Sequence, residues 1–389
     1  VALLHWLTLS LTEGLGPVLI GRMVERVGSA AAAAAMGPAE LRQVEGIGSA
    51  KAATIAASLR TATDRAEREL ESADKLGIKL LCPEDGQWPA LLRTIHDPPP
   101  VLYMRGALED RDLNGIGIVG SRRCTLYGRE QADRFGALLA GAGFTIISGG
   151  ARGIDSAAHR GALRPAGGRT LAVLGSGLDV PYPPENQPLF DMIAGHGAVL
   201  SEFPLGAIPS PENFPRRNRI VSGLSRAVLV IEADKRSGAL ITARLAGEQG
   251  RSVLALPGRV DSAMSVGAHQ LIRDGAILVS CLEDVFQELG PLPQGTAEPT
   301  LFDNAAQPAA EAPIAAKAPA TLTLSEPQRL IVEQFEQQPL AVDELIERTG
   351  LPVPAVLQEL TALSLKGVIR RVEGQTYARA SGASHATAS

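Results

Sequence analysis

The chain has 389 residues, 45% of them apolar, enough to bury the cores of two or three domains and too much for a single small module. Charged residues make up 20%, aromatics 4%, and the formal net charge is −5, which excludes a uniformly basic nucleic-acid coat but allows a basic patch on an acidic body. Cys82, Cys124 and Cys281 lie far apart and are odd in number, so they draw neither a disulfide framework nor a CxxC-type metal site, and a reducing cytoplasm is expected.

The apolar start, Val1 to Leu11, has no positive residue before Arg22 and no cleavage context, and no later run reaches bilayer length, so neither a leader nor a spanning helix is expected. Within the first 70 residues, Glu13-Gly14-Leu15-Gly16 and Glu45-Gly46-Ile47-Gly48 are two copies of one turn, each followed by an Ala- or Val-rich helical stretch. Helix, small-apolar-Gly turn, helix is similar to the helix-hairpin-helix module, in which glycine gives the tight backbone and the second helix offers N–H groups to a phosphate. The second copy has Lys51 but few other bases, so a purely packing bundle and an auxiliary contact both stay open.

Residues 64–80 are charged and helical in pattern, and the Pro-punctuated stretch to Asp110 reads as an irregular connection. Short β-branched runs then alternate with helix-length segments: Ile116–Val119, Phe144–Ile147, Thr170–Leu174, Ala198–Leu200, Ala227–Ile231, Ser252–Leu256 and Ile277–Val279. That alternation predicts an α/β fold with a doubly wound parallel sheet. Residues 290–321 are Pro/Ala/Gln-rich and predict a flexible linker. Beyond it, three helical patterns and the alternating run Gly367–Tyr377, with a turn at Glu373-Gly374, predict a winged helix. The domains expected are 1–70, 80–289 and 322–380, separated in the last case by the linker.

Gly115-Ile116-Gly117-Ile118-Val119-Gly120 has the GxGxxG spacing, but its first two glycines precede or sit inside the strand, so it is rejected as a dinucleotide fingerprint. More telling are Val119-Gly120-Ser121-Arg122-Arg123 and Ser148-Gly149-Gly150-Ala151-Arg152-Gly153-Ile154-Asp155, which put small residues and a base at carboxyl ends of strands. In an open α/β sheet those ends form the ligand crevice, and Gly-rich turns into helices bind anions. The same rim collects Gly175–Asp179, Phe214–Arg219 and Lys235–Gly238. Phe203–Arg259 holds nine Lys/Arg against four Asp/Glu, a basic patch inside an acidic chain.

Arginines hold phosphate while an exposed aromatic stacks on an unpaired base, and Phe214 with Arg216, Arg217 and Arg219 has that composition. A core Phe214 with ion-paired arginines is the alternative from spacing alone. Asp155 and His159, four apart, share a helix face; a capping Asp beside a satisfied His is the expectation, with no nucleophile elbow, HExxH, Walker lysine loop or paired metal carboxylates alongside. Residues 325–379 carry eight acids and six bases, and the recognition helix expected at Pro352–Leu365 shows no Arg, Lys or Asn for base edges, which disfavours duplex reading; Arg370, Arg371 and Arg379 are the candidates for phosphate there. Leu301-Phe302 behind Gln294 is a chance likeness to a clamp-binding peptide.

The ordered set Ile118–Arg122, Ser148–Asp155 with His159, Ala172–Asp179 with Tyr182-Pro183 and Asn186, Ser201-Glu202, Phe214–Ile220, Ser237–Ala243 and Pro257-Gly258 resembles the DNA-processing protein A (DprA/Smf) family over about residues 80–285. The resemblance implies an extended Rossmann-like domain between a helical (helix-hairpin-helix/SAM-like) domain and a winged helix. It implies binding of single-stranded DNA in natural transformation, protection of that strand and loading of the RecA recombinase; enzymatic turnover is not implied, and no cofactor or metal is expected. Carried over to this sequence, Ser121 and Arg122 hold phosphate, Gly149 and Gly150 add backbone donors, Phe214 meets a base, and Arg217, Asn218 and Arg219 line the pocket. Some relatives carry Lys three residues before the Phe; here Pro211 stands instead, followed by Glu212, which shifts weight to Arg216 or Lys235, and Arg236 is a further candidate contact. The resemblance also implies a homodimer through His269–Arg273 and its neighbours, giving two pockets to one strand. Against this stand a nucleotide- or phosphoribosyl-processing enzyme using the same crevice, and a winged-helix regulator with a sensing domain.

Overall fold

The computed structural model describes residues 2–290 and, further on, 326–335, 340–351, 356, 359–360, 363, 368–373 and 376–379. The described residues up to Gly290 belong to one compact unit and those from Glu326 to a second. The linker expected at 290–321, apart from Gly290, lies outside the described residues, as do Gln294, Leu301-Phe302 and most of the expected recognition helix.

The first unit opens with helices α1 (Ala2–Ser10), α2 (Pro17–Val27), α3 (Ala30–Ala34), α4 (Pro38–Leu41) and the long α5 (Ser49–Lys75). The repeated turn is visible in the backbone: Gly14 and Gly46 both take positive φ, 82° and 89°, and Gly16 and Gly48 follow as extended N-caps of α2 and α5. At Gly46 a side chain would press on Leu19 and Arg22, so this turn packs closely against α2. Apolar spacing along α5 buries Ala52, Ile55, Leu59, Ala62 and Ala66. Glu69 ties this helix onward, accepting from the Tyr103 hydroxyl at 2.9 Å and the Leu205 amide at 2.7 Å.

The sheet that follows has nine strands. β1 (Lys79–Leu81) and β2 (Leu102–Gly106) are antiparallel, and they correct the expectation of an irregular connection to Asp110. Then come β3 (Gly115–Val119), α6 (Leu126–Gly141), β4 (Thr145–Ser148), α7 (Ile154–Ala162), β5 (Arg169–Leu174), α8 (Gln187–His196) and β6 (Gly197–Ser201). The second half runs α9 (Asn213–Gly223), β7 (Ala227–Val230), α10 (Gly238–Glu248), β8 (Ser252–Ala255), α11 (Val266–Arg273), β9 (Ile277–Leu278) and α12 (Leu282–Leu289). The order is β1-β2-β6-β5-β4-β3-β7-β8-β9, parallel from β6 to β9.

Strands β3 to β6 step outward on one side and β7 to β9 on the other, so direction reverses between β3 and β7. In doubly wound sheets that reversal opens a crevice at the carboxyl ends of the two strands. β3, β4, β5 and β7 are buried along their whole length, as expected for strands covered on both faces. Gly115 and Gly117 lie inside β3, and a side chain on Gly115 would collide with Ile147 and the Leu224 carbonyl; these glycines serve sheet packing, not a dinucleotide.

Far from the crevice, Arg169 at the start of β5 is clamped by Asp112 at 2.6 Å and Glu109 at 3.0 Å and is almost wholly buried. The second unit contains α13 (Glu326–Glu333), β10 (Leu340–Ala341), α14 (Val342–Thr349), β11 (Ile369–Glu373) and β12 (Thr376–Arg379). Its sheet runs β10-β12-β11, with Arg371 opposite Tyr377 across the wing, over a core that includes Phe335, Leu345 and Leu360. Among the described residues no helix is long and apolar enough to cross a membrane.

Candidate nucleic-acid interface

The crevice at the β3/β7 reversal is a cleft of about 850 Å³. Its walls are built by four loops: Gly120–Arg123 after β3, Gly149–Ala151 after β4, Asp234–Gly238 after β7 and the segment Pro209–Phe214 leading into α9. The two loops first met in the sequence pack directly on each other. Gly153, at φ 77°, leaves no room for a side chain beside the Ser121 carbonyl, and Gly120 none beside Ile154. Small residues stand at these strand ends because two backbones share the space.

Ser121 is buried; its hydroxyl accepts from the Arg123 amide at 3.1 Å and bends the loop so that the Arg122 and Arg123 side chains emerge into solvent. The loop's far end is anchored by buried Glu232, which accepts from the Thr125 amide at 2.8 Å and hydroxyl at 2.6 Å at the start of α6. From the opposite wall α10 opens onto the cleft, with Ser237 capping it by accepting from the Ala239 amide at 3.3 Å and Thr242 on the same lining.

Phe214 is half-buried at the mouth. One side of the ring rests on Gly175, where a side chain would crowd it, and the Arg122 guanidinium lies 4.6 Å over the ring centroid. Tyr182 stands next to it, centroids 5.8 Å apart and planes tilted by 48°, and Arg152 sits 5.5 Å over the Tyr182 ring. Four side chains thus form a row: Arg122, Phe214, Tyr182, Arg152.

Beneath the row lies Arg217. It is 4% exposed, and its guanidinium donates to the carbonyls of Gly149 and Val173. A side chain on Gly149 would run into that guanidinium, which is why glycine is required there. Burial lowers the Arg217 pKa to about 10, against the attraction of Asp155. Asp155 is itself pushed up by burial, opposed by the charge of Arg217, and its carboxylate accepts from the Ala151 amide at 3.3 Å. The loop's donors and acceptors are therefore largely used internally: Asn186 donates to the Gly150 carbonyl at 2.9 Å and to Ser156 at 2.8 Å.

His159 is wholly buried, with Nδ1 2.7 Å from Thr170 Oγ1. Since that hydroxyl donates to the Ile146 carbonyl, His159 donates through Nδ1 and leaves Nε2 bare, without a partner among the described residues. Burial pulls its pKa down to about 3, so the ring is neutral and cut off from solvent. The expected capping and satisfied pair is met only in part: Asp155 bonds the loop ahead of α7 and does not cap the helix, and His159 has one ring nitrogen bonded and the other bare.

Of the residues singled out in the sequence, Ser121, Arg122, Gly149, Phe214, Arg217 and Asn218 are brought together around the cleft. Gly150 lies behind the loop, its positive φ of 66° seating it against Phe190. Lys235 and Arg236 are exposed on the rim next to Asp234. Arg216 is exposed on α9 and lies 5.3 Å over Phe203. Arg219 is placed elsewhere, a correction to its expected role: it is buried between Glu202 at 2.7 Å and Asp97 at 2.9 Å. Positions 217 and 219 are about 200° apart around a helix, so one helix cannot aim both at one pocket. Sequence reading passed over Tyr182, Ala151 and Thr242 as lining residues; Tyr182-Pro183 directly after a Gly-rich strand end was the available signal.

Residues 79–290 match the family model for DNA recombination-mediator protein A, and residues 315–375 that for the DprA winged helix domain. The chain belongs to the DNA-processing protein A (DprA/Smf) family. Protein Smf of Synechocystis is 37% identical over 96% of this chain and 98% of its own. Protein Smf of Escherichia coli is 41% identical over 76% of each. The X-ray structure of DNA processing protein A from Streptococcus pneumoniae superposes with a TM-score of 0.61 at 33% identity, covering 73% of this chain and 96% of that one. DprA family membership makes this a DNA-processing protein with a winged helix in its carboxyl-terminal unit.

Proposed function

We propose that the cleft at the β3/β7 reversal binds single-stranded DNA, Phe214 meeting an unpaired base while Arg122, Arg123 and the rim cations Lys235 and Arg236 meet phosphates. The observation that carries this reading is Phe214 itself, an aromatic ring half-exposed at the mouth of a cleft with an exposed arginine on its face. A ring so placed reaches a base that is free to turn away from its strand, whereas a paired base is held in its stack. The wholly buried, neutral His159 supports binding without turnover, since it has no access to a ligand in the cleft.

On this reading the protein shields the captured strand and hands it to the RecA recombinase in the cytoplasm, a role in keeping with the family's description as a recombination mediator. A homodimer through the β9 edge and α11 completes the proposal. β9 is an outer strand of the sheet, and Leu278 on it and Val260 in the loop between β8 and α11 are exposed apolar residues suited to a second copy. The test is Phe214→Ala. Single-strand affinity should fall by about 1–3 kcal/mol with the melting temperature unchanged; wild-type binding, or a melt far below wild type, would overturn the assignment.

A further inference from the structure

Beyond the pocket around Phe214, one pair of side chains faces the same mouth with no part in its floor or walls except through Tyr182. Arg152 and Glu185 are both largely exposed and joined through Arg152 Nε and Glu185 Oε1, while Arg152 also donates to the Tyr182 hydroxyl at 3.3 Å. The pairing raises the pKa of Arg152 and lowers that of Glu185, the hydrogen bond between them being the main cause of each shift. A small recess lined by Arg122, Arg152, Tyr182 and Phe214 joins the two rings.

We infer that Tyr182 and Arg152 form a second nucleotide station, taking the nucleotide next to the one on Phe214, and that Glu185 is a latch holding Arg152 until a phosphate displaces it. This rests on the single-strand reading above. The ring spacing argues for neighbouring nucleotides and for a single strand. Bases in a stacked strand rise about 3.4 Å per nucleotide, so rings with centroids 5.8 Å apart and tilted by 48° accept adjacent bases only from a strand pulled open between them. A duplex does not open that way without losing its pairing. The chemistry repeats at both stations, an aromatic face with a guanidinium over it. The difference is the carboxylate: among the described residues Arg122 makes no direct ion pair and feels only the buried Asp155 at longer range, whereas Arg152 is paired directly with Glu185. A phosphate arriving at the second station exchanges one anion for another on the same guanidinium, and Glu185 is released to water.

The experiment is a set of anisotropy titrations of the full chain with labelled oligo-dT at several salt concentrations. Tyr182→Ala should weaken binding by about 5- to 150-fold, as loss of one stacked base does, and Tyr182→Phe should bind like wild type because the ring remains. Arg152→Ala should lower affinity and reduce the salt slope by about 0.7, one phosphate's worth on a single strand. Glu185→Gln should tighten binding, and should do so only while Arg152 is present; in an Arg152→Ala background the gain should vanish. An equal gain in both backgrounds would mean Glu185 merely repels DNA, and wild-type affinity in a folded Tyr182→Ala would remove the second station. If Phe214→Ala binds poorly while Tyr182→Ala, Arg152→Ala and Glu185→Gln match wild type, the second station falls and the pocket stands. If wild type does not bind oligo-dT, both fall together.

Discussion

Replacing Arg217 by Ala separates two roles that its position in the sequence leaves combined. As a phosphate contact, Arg217→Ala would bind weakly with a flatter salt dependence and keep its stability. In the structure the guanidinium is buried, holds the carbonyls of Gly149 and Val173, and opposes the buried charge of Asp155. Its removal takes away the largest interaction opposing the burial of Asp155 and the donor to two buried carbonyls, a cost of about 1–3 kcal/mol. The cost carries a sign in pH. Asp155 already has a raised pKa in the folded state, and losing Arg217 raises it further. A carboxyl raised on folding favours the folded state while protonated and costs stability as pH rises through its folded value. The deficit of Arg217→Ala relative to wild type should therefore be largest at pH 8 and shrink toward pH 4. Urea melts of both proteins across that range are the assay. A deficit independent of pH, or no deficit beside a flattened salt slope of DNA binding, would refute the strut role.

Other expectations follow from the same geometry. Arg122→Ala should lower the salt slope of single-strand binding by about 0.7 with no change in melting, because its side chain is exposed; slopes measured at four salt concentrations decide it. Gly149→Ala should weaken binding and stability together, since the added methyl displaces the Arg217 guanidinium from its carbonyls, and Arg217→Ala in the same chain should relieve part of the loss. Cys82, fully buried and with its thiol pushed up to about 11 mainly by burial, should resist a thiol reagent at pH 8 in the native protein and react once unfolded; fast native labelling would contradict its placement.

Much of the sheet was legible because buried parallel strands are short β-branched runs, and all seven expected runs coincide with strands to within a residue or so at either end. β1 and β2 were not. Lys79-Leu80-Leu81 is too short to show a period, and Leu102-Tyr103-Met104-Arg105-Gly106 has no β-branched residue and follows a proline run. The strand-end loops could be read because their glycines report close backbone approach, seen at Gly120 and Gly153. Burial of charge could not. Composition counts Arg217 and Arg219 as part of a basic patch, whereas α9 packs on two sides and sinks both, one onto carbonyls and one between carboxylates. The partners Asp97 and Glu202 are distant in sequence, and only the fold brings them to Arg219.

The central claim, that this cleft selects an unpaired strand, is tested most directly by anisotropy titration of the full chain against matched single- and double-stranded oligonucleotides at two salt concentrations, with Phe214→Ala alongside. Tight single-strand binding that weakens with salt, far exceeds duplex binding and is lost in Phe214→Ala is the expected result. Equal affinity for both forms, or single-strand binding indifferent to Phe214, would contradict it.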